Sequence, residues 1–392
     1  MHKKDNIDIL VLSTACHTAI NRKIYKLFEL DEYSIILVCP RYSYFNNKLE
    51  PSEAPRDEDP RIIFDDINTK NQRLSNFKNI RKIIKKYKPK NIIIDNDPGS
   101  LMTIFCRLYS FYIPSKIYCI TCENLDLTLA GMIKRRGFHQ FVNIFLKKLL
   151  LMISRFCING LFVINKNGLQ VFNKVNYKNI KQIPLGYDPD YFYVDNNIRN
   201  KFRISHDINK FSIGFLGRIV EEKGLHILID ALNDLKHLEW VLVLDEFSHY
   251  QSKYADDINA QIKKFNIDNR ILRIDPTHED MAKYMNMLDL IVIPSLSTPV
   301  WEEQYGRIAA EAMACGTNVV VSDTGHLPDL VSDYGYLFTE GNVQELCYII
   351  EGFLNGTIDG HSQSVLEGYA VDQLSTIKQK KLMEKEIFGS NK

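Results

Sequence analysis

Short β-branched runs alternate with longer amphipathic ones along this chain, and that alternation leaves few architectures open to it. Ile7 to Leu12, Ser34 to Val38, Asn91 to Ile94 and Ile117 to Thr121 read as buried strands separated by helical stretches. Continuous apolar runs mark strands covered on both faces, and strands separated by helices pair in parallel through crossovers. The pattern restarts after residue 200 with Phe211 to Leu216, Trp240 to Leu244, Ile271 to Ile274, Leu290 to Ile293 and Asn318 to Val321. The expected fold class is therefore α/β, with two Rossmann-like β/α/β domains in tandem. A length of 392 residues with 45% hydrophobic and 25% charged residues supplies two such cores and excludes disordered, collagenous and disulfide-scaffold chains. Ile183 to Phe192, IPLGYDPDYF, concentrates Pro, Gly and Asp turn signals and is read as the interdomain linker. Residues 42–60, with three prolines, read as a long loop.

A net charge of +1 conceals a strong asymmetry. Of the 49 Lys+Arg, 31 lie in residues 1–200, against 19 of the 48 Asp+Glu, so the first half is net +12 and the second net −11. Asp5 and Asp8 interrupt the N-terminal stretch, so no signal peptide is expected. The most apolar window, Phe141 to Ile164, is broken by Lys147, Lys148 and Arg155 and falls short of the roughly 20 apolar residues a spanning helix needs. The eight cysteines sit mostly in apolar runs without a regular framework and read as reduced thiols of a cytoplasmic protein. The basic, amphipathic stretch Lys134 to Arg155 fits two readings equally, a membrane-surface helix and a crossover helix with a solvated face. No aromatic-plus-glycine motif for nucleic-acid reading accompanies the basic half.

Two segments carry chemistry. In FLGRIVEEKGLHILIDAL, residues 215–232, a strand ends at Gly217-Arg218 and Lys223-Gly224 opens a helix. In an open parallel sheet that junction is where ligands bind, and Arg218 and Lys223 suit phosphate oxygens. A glycine turn with two solvated cations explains this segment alone about as well. In PSLSTPVWEEQYGRIAAEAMACGTNVVVSD, residues 294–323, a polar loop precedes a helix expected to start near Tyr305-Gly306 and end at Gly316. Glu303 lies in the loop and Glu311, eight residues on, in the second helical turn, so they address different parts of one ligand. The amides around Gln304, Tyr305 and Gly306 form an anion site. Ala309, Ala310, Ala312 and Ala314 allow a flat ligand against the helix, or equally a helix packed on the sheet.

Together these motifs, GR-x4-KG and then E-x-Y-G-x4-E-A-M-A-x-G about eighty residues later, resemble the retaining glycosyltransferases of GT-B fold, glycosyltransferase family 4, also called glycosyl transferases group 1. The resemblance implies two Rossmann-like domains facing each other across a cleft. Residues 1–187 and a C-terminal helix of about 371–392 would bind the acceptor, and residues 188–370 the nucleotide-sugar. It further implies that Gly217, Arg218 and Lys223 meet the diphosphate, Glu311 the ribose hydroxyls and Glu303 the donor-sugar hydroxyls. Gln304, Tyr305 and Gly306 would complete the sugar-phosphate site, and Arg273 and Ile274 would lie nearest the base. The catalytic set is then Glu303, Arg218, Lys223 and Glu123. Glu303 is not a nucleophile in this scheme, because the leaving phosphate takes the acceptor proton on the face it leaves. The expected acceptor is a glycan or a lipid-linked glycan of surface polysaccharide or glycoconjugate biosynthesis, met by a cytoplasmic, peripheral membrane enzyme with no cofactor and no metal. A catalytically silent subunit and a phosphorylase or epimerase of the same fold are the rival readings.

Some positions depart from the family. Asp245-Glu246-Phe247 stand where a glycine-rich turn is common, Asn318 where proline is usual, and Ser13 to His17 where many members have a Gly-Gly loop. The usual first-domain histidine gives way to Glu123-Asn124, which makes Glu123 a candidate base or a structural cap, with His17 and Asn124 as further acceptor candidates. Asp95-Asn96-Asp97 is discounted as a metal triplet and Cys119/Cys122 as a redox or zinc pair. No G-x-G-x-x-G follows the first strand, which argues against a nicotinamide enzyme.

Overall fold

ILVLS, residues Ile9–Ser13, is buried at all five positions, as a strand with helices over both faces must be. Strands of this kind organise a computed structural model that describes residues 6–45, 48–57, 59–71, 73–246, 252–277 and 280–389. The chain divides into two units, Met1–Gly186 with Thr376–Lys392, and Tyr187–Ser375.

In the first unit the strands are β1 (Ile9–Ser13), β2 (Ile35–Pro40), β3 (Tyr42–Phe45), β4 (Lys48–Pro51), β5 (Ile62–Asp65), β6 (Asn91–Asp95), β7 (Lys116–Thr121), β8 (Gly160–Val163) and β9 (Ile180–Gln182). Seven of them pair in parallel in the order β5-β2-β1-β6-β7-β8-β9. Leu10, Leu12, Ile92 and Ile94 fill one side of the sheet with Met102, Leu151 and Phe172 from the covering helices. Side-chain caps start several of those helices: Ser100, Thr128 and Asn165 each accept from the amide three residues on. β3 and β4 pair antiparallel where the sequence reads as loop, because the prolines fall at the end of β4 and beyond it. The C-terminal helix Thr376–Phe388 packs on the helix Lys23–Leu30. Its buried Lys380 pairs with Asp31 and Glu384, Tyr33 Oη donates to Glu384 (2.8 Å), and the Tyr33 and Phe388 rings stack at 4.4 Å.

The second unit contains β10 (Phe211–Phe215), β11 (Trp240–Asp245), β12 (Ile271–Ile274), β13 (Leu290–Ile293), β14 (Asn318–Ser322) and β15 (Tyr336–Phe338), all parallel, in the order β12-β11-β10-β13-β14-β15. In each sheet the order reverses beside its first strand, between β1 and β6 and between β10 and β13. Chain leaving the carboxyl ends of such a pair diverges to opposite sides and opens a crevice there. Both motif segments leave the β10/β13 switch point.

No described helix is long and apolar enough to cross a membrane. The helix Phe141–Ser154 corrects one expectation for the basic stretch: Lys147 is buried, and its Nζ lies 2.5 Å from Glu123 Oε2. Lys147 belongs to the interior of the unit and not to a solvated face.

Candidate functional site

After β10 the chain passes through exposed Arg218 into a single 3-10 turn, Glu221–Lys223, and then into the helix Leu225–Asp234. Gly224 joins the two with φ +68°, and a Cβ there would lie 1.8 Å from the Pro294 carbonyl oxygen. No other residue permits both the left-handed backbone and that approach, so Gly224 locks the first motif against the end of β13. The Leu296 amide donates to the Glu222 carbonyl (2.8 Å) and fixes the same junction. A Cβ on Gly217 would meet no protein atom within 4 Å, and the Arg218 side chain makes no hydrogen bond or ion pair among the described residues.

Lys223 and Glu303, eighty residues apart in sequence, are bonded directly. Lys223 Nζ donates to Glu303 Oε2 at 2.5 Å, the Ser295 hydroxyl donates to the same oxygen at 3.0 Å, and the ammonium lies 5.0 Å from the Trp301 ring centroid. Glu303 is buried and Lys223 partly so, so Lys223 is not the freely exposed cation the sequence suggests. The loop carrying Glu303 is held from β14: His326 donates its amide to the Glu303 carbonyl (3.0 Å), and a Cβ on Gly325 would stand 2.1 Å from that carbonyl oxygen. The His326 ring is buried and stacks on Tyr305, with centroids 6.1 Å apart. Burial pushes its pKa down to about 4, so the imidazole is neutral. Sequence reasoning missed His326. The signal available was its place in the S-D-T-G-H segment just beyond a strand end.

Gly306 ends the loop at φ +84°, and the helix Arg307–Ala314 begins there. Gln304 is exposed, whereas Tyr305 and Gly306 are buried. Glu311, in the second turn, is buried, and its Oε1 has no hydrogen-bond partner among the described residues. Desolvation, offset only in part by Arg307, raises its pKa to about 8. It therefore carries a proton over much of the neutral range. Burial raises the Tyr305 hydroxyl pKa, and the nearby Arg307 offsets part of that rise. Ala309, Ala310, Ala312 and Ala314 are fully buried. They let the helix approach the sheet and its neighbouring helices, which favours the packed-helix alternative of the two that the alanine run left open.

Arg273 and Ile274 stand apart from this cluster. Arg273 Nη2 donates to Asn259 Oδ1 (2.8 Å) and Ile274 is buried, while the Glu246 amide donates to the Ile274 carbonyl (2.7 Å). Phe247 lies outside the described residues.

In the first unit the three acceptor candidates are not brought together. His17, its Nδ1 3.0 Å from the Thr14 carbonyl, lines a cavity of about 640 Å³ with Tyr42, Leu49, Asn68 and Lys70. Lys70 also borders a cavity of about 340 Å³ with Arg73, Asn96 and Asp97. Glu123 lines neither. Its Oε1 accepts from the Leu125 amide and its Oε2 from Lys147, and Asn124 is buried beside it. Asp95 accepts from Ser13 (2.7 Å) and Asp97 from Thr121 (2.5 Å). Desolvation and the nearby Glu123 raise the Asp97 pKa. Cys122 lies just past the end of β7 and not within it, and neither Cys119 nor Cys122 is in a disulfide.

Residues 196–364 match the family of glycosyl transferases group 1. That match covers most of the second unit. A D-inositol 3-phosphate glycosyltransferase of Mycobacterium sp. strain KMS is 30% identical to this chain over 173 residues, which are 43% of the chain and 38% of the relative. The alignment thus spans well under half of the relative's length. A glycosyltransferase from Rickettsia africae superposes with a TM-score of 0.74 at 16% identity, covering 99% of this chain and 100% of the other. HepE of Anabaena, solved with UDP, gives 0.72 at 17% identity over 97% and 99%. HepE has also been solved with UDP-glucose. The fold is GT-B, and the segment that matches the group 1 family lies in its second Rossmann-like unit.

Proposed function

We propose that the protein is a retaining glycosyltransferase of family 4 type that moves a sugar from a nucleotide-sugar to a glycan or lipid-linked acceptor in surface polysaccharide or glycoconjugate biosynthesis. The observation that carries this is Glu311, a buried carboxyl with an unpartnered oxygen in the domain that holds the Lys223–Glu303 pair. Burying a carboxyl without partners is costly, and a vicinal diol such as ribose supplies the missing donors. Arg218 and Lys223 would neutralise the diphosphate as the glycosidic bond lengthens, and Glu303 would orient donor-sugar hydroxyls while holding Lys223 in place. The departing phosphate oxygen would take the acceptor proton on the same face, which retains anomeric configuration. With cations and loop amides supplying the positive field, transfer needs no divalent metal. HepE, solved with UDP and UDP-glucose, supports a nucleotide-sugar donor. The basic first unit suits an anionic acceptor. Glu123, with both oxygens engaged, acts as a positioning residue there.

The test is incubation with a panel of nucleotide-sugars, following nucleoside diphosphate release and the anomeric configuration of the product by NMR, with and without chelator. Release from one donor, a product anomer matching the donor and indifference to chelator are expected. Silence with every donor would favour the catalytically silent subunit, an inverted product would overturn retention, and chelator inhibition reversed by manganese or magnesium would overturn metal independence.

A further inference from the structure

The helix Phe141–Ser154, with the residues flanking it, turns an apolar stripe outward. Phe138, Phe141, Phe145, Leu149, Met152 and Phe156 recur every three or four residues, which places them on one face, and all six are exposed. Val142 beside them is 78% exposed, and Phe138 and Phe156 are 72% and 76% exposed. The opposite face, Ile144, Leu150 and Leu151, is buried in the unit, and there the cation Lys147 is drawn inward to Glu123. A helix solvated on its outer face would show the reverse arrangement. A run of large exposed apolar side chains marks a surface that meets something other than water.

Charge identifies the occupant. Lys134 and Arg136 are exposed, Lys148 and Arg155 are half-buried, and the Arg155 guanidinium lies 4.7 Å from the Phe156 ring centroid. From Asp126 to Asp188 the sequence contains no other acidic residue. We propose that this stripe lies in the interface of an anionic lipid bilayer, its phenylalanines, leucine and methionine at the acyl boundary and its cations among the headgroup phosphates. A second copy of the chain fits less well, since a two-fold contact would set the same basic rim against itself. The inference deepens the transferase reading, and rests on it only in saying that the acceptor is met at a membrane.

Flotation with phosphatidylcholine vesicles, with and without phosphatidylglycerol, tests it. The protein should float with the anionic vesicles at low salt, about tenfold more than with neutral ones. High salt should weaken but not abolish that binding, because the Debye length shrinks to about 3 Å at 1 M while apolar insertion is unscreened. Val142→Ser, Phe145→Ser and Phe156→Ser together should cost at least tenfold at either salt, and Lys134→Glu with Lys148→Glu should remove only the salt-sensitive part. An unchanged melting temperature checks that the variants fold, and nucleoside diphosphate affinity should be unaffected in both. Wild-type protein that never floats, or a triple variant that floats like it, overturns the proposal. So does sedimentation equilibrium showing a dimer that the triple variant dissolves, without vesicle binding. Vesicle binding with no nucleotide binding would instead sink the transferase reading and leave the surface standing.

Discussion

Glu311 is the residue whose chemistry the proposed nucleotide would change most. Its pKa stands near 8 through desolvation, and hydroxyl donors to the carboxylate would pull it down. Nucleoside diphosphate binding near neutrality should therefore release a fraction of a proton, and affinity should rise with pH until about 8. Calorimetry in buffers of different ionisation enthalpy measures that proton, and Glu311→Gln should abolish both effects. Stability runs the other way: the folded state holds this proton where the unfolded state has lost it, so the contribution is full below about 4.5 and is lost as pH rises through about 8. A second consequence follows from the Lys223–Glu303 pair. Lys223→Ala leaves a buried carboxylate without its cation and should destabilise the protein by about 1.5–3 kcal/mol. Lys223→Met combined with Glu303→Gln should recover most of that in urea denaturation, since replacing both partners removes the uncompensated charge. If the double variant is as unstable as the single, the pair is not what holds the loop.

At the scale of elements, the central strands were legible because each is a continuous apolar run bounded by turns, and all nine sequence-placed strands fall on observed ones within one or two residues. β8 follows directly from an apolar helix, and β9 and β15 are three residues long, so each is defined by its neighbour in the sheet and not by its own pattern. The helix Phe141–Ser154 is apolar almost all round, which hides its rotational phase. That is why the inward turn of Lys147 could not be read. The Lys223–Glu303 bond and the stacking of His326 on Tyr305 needed the topology, because they join segments from different strand ends. The C-terminal helix Thr376–Phe388 yields a prediction at this scale. Deleting residues 376–392 removes buried Met383 and Ile387, each contributing about 1.5–3 kcal/mol. Scanning calorimetry should then show a lower melting temperature for the first unit's transition and little change for the second's.

Across the whole molecule, charge separates along the chain as function is proposed to, with a basic first half and an acidic second half. An acidic domain must concentrate its cations to hold a diphosphate, and Arg218 and Lys223 are placed where the β10/β13 switch point opens the sheet. Ligand binding there should stabilise the second unit's transition selectively, in proportion to occupancy. The central claim is that this switch point binds a nucleoside diphosphate through Arg218, Lys223 and Glu311. Titration calorimetry of the wild type, Arg218→Ala and Glu311→Ala against UDP, GDP, ADP and CDP tests it most directly. One nucleotide should bind with unit stoichiometry, and each substitution should weaken it about tenfold or more, the equivalent of about 1.4 kcal/mol. Equal affinity in all three proteins, or no binding of any nucleotide to the wild type, would contradict the account.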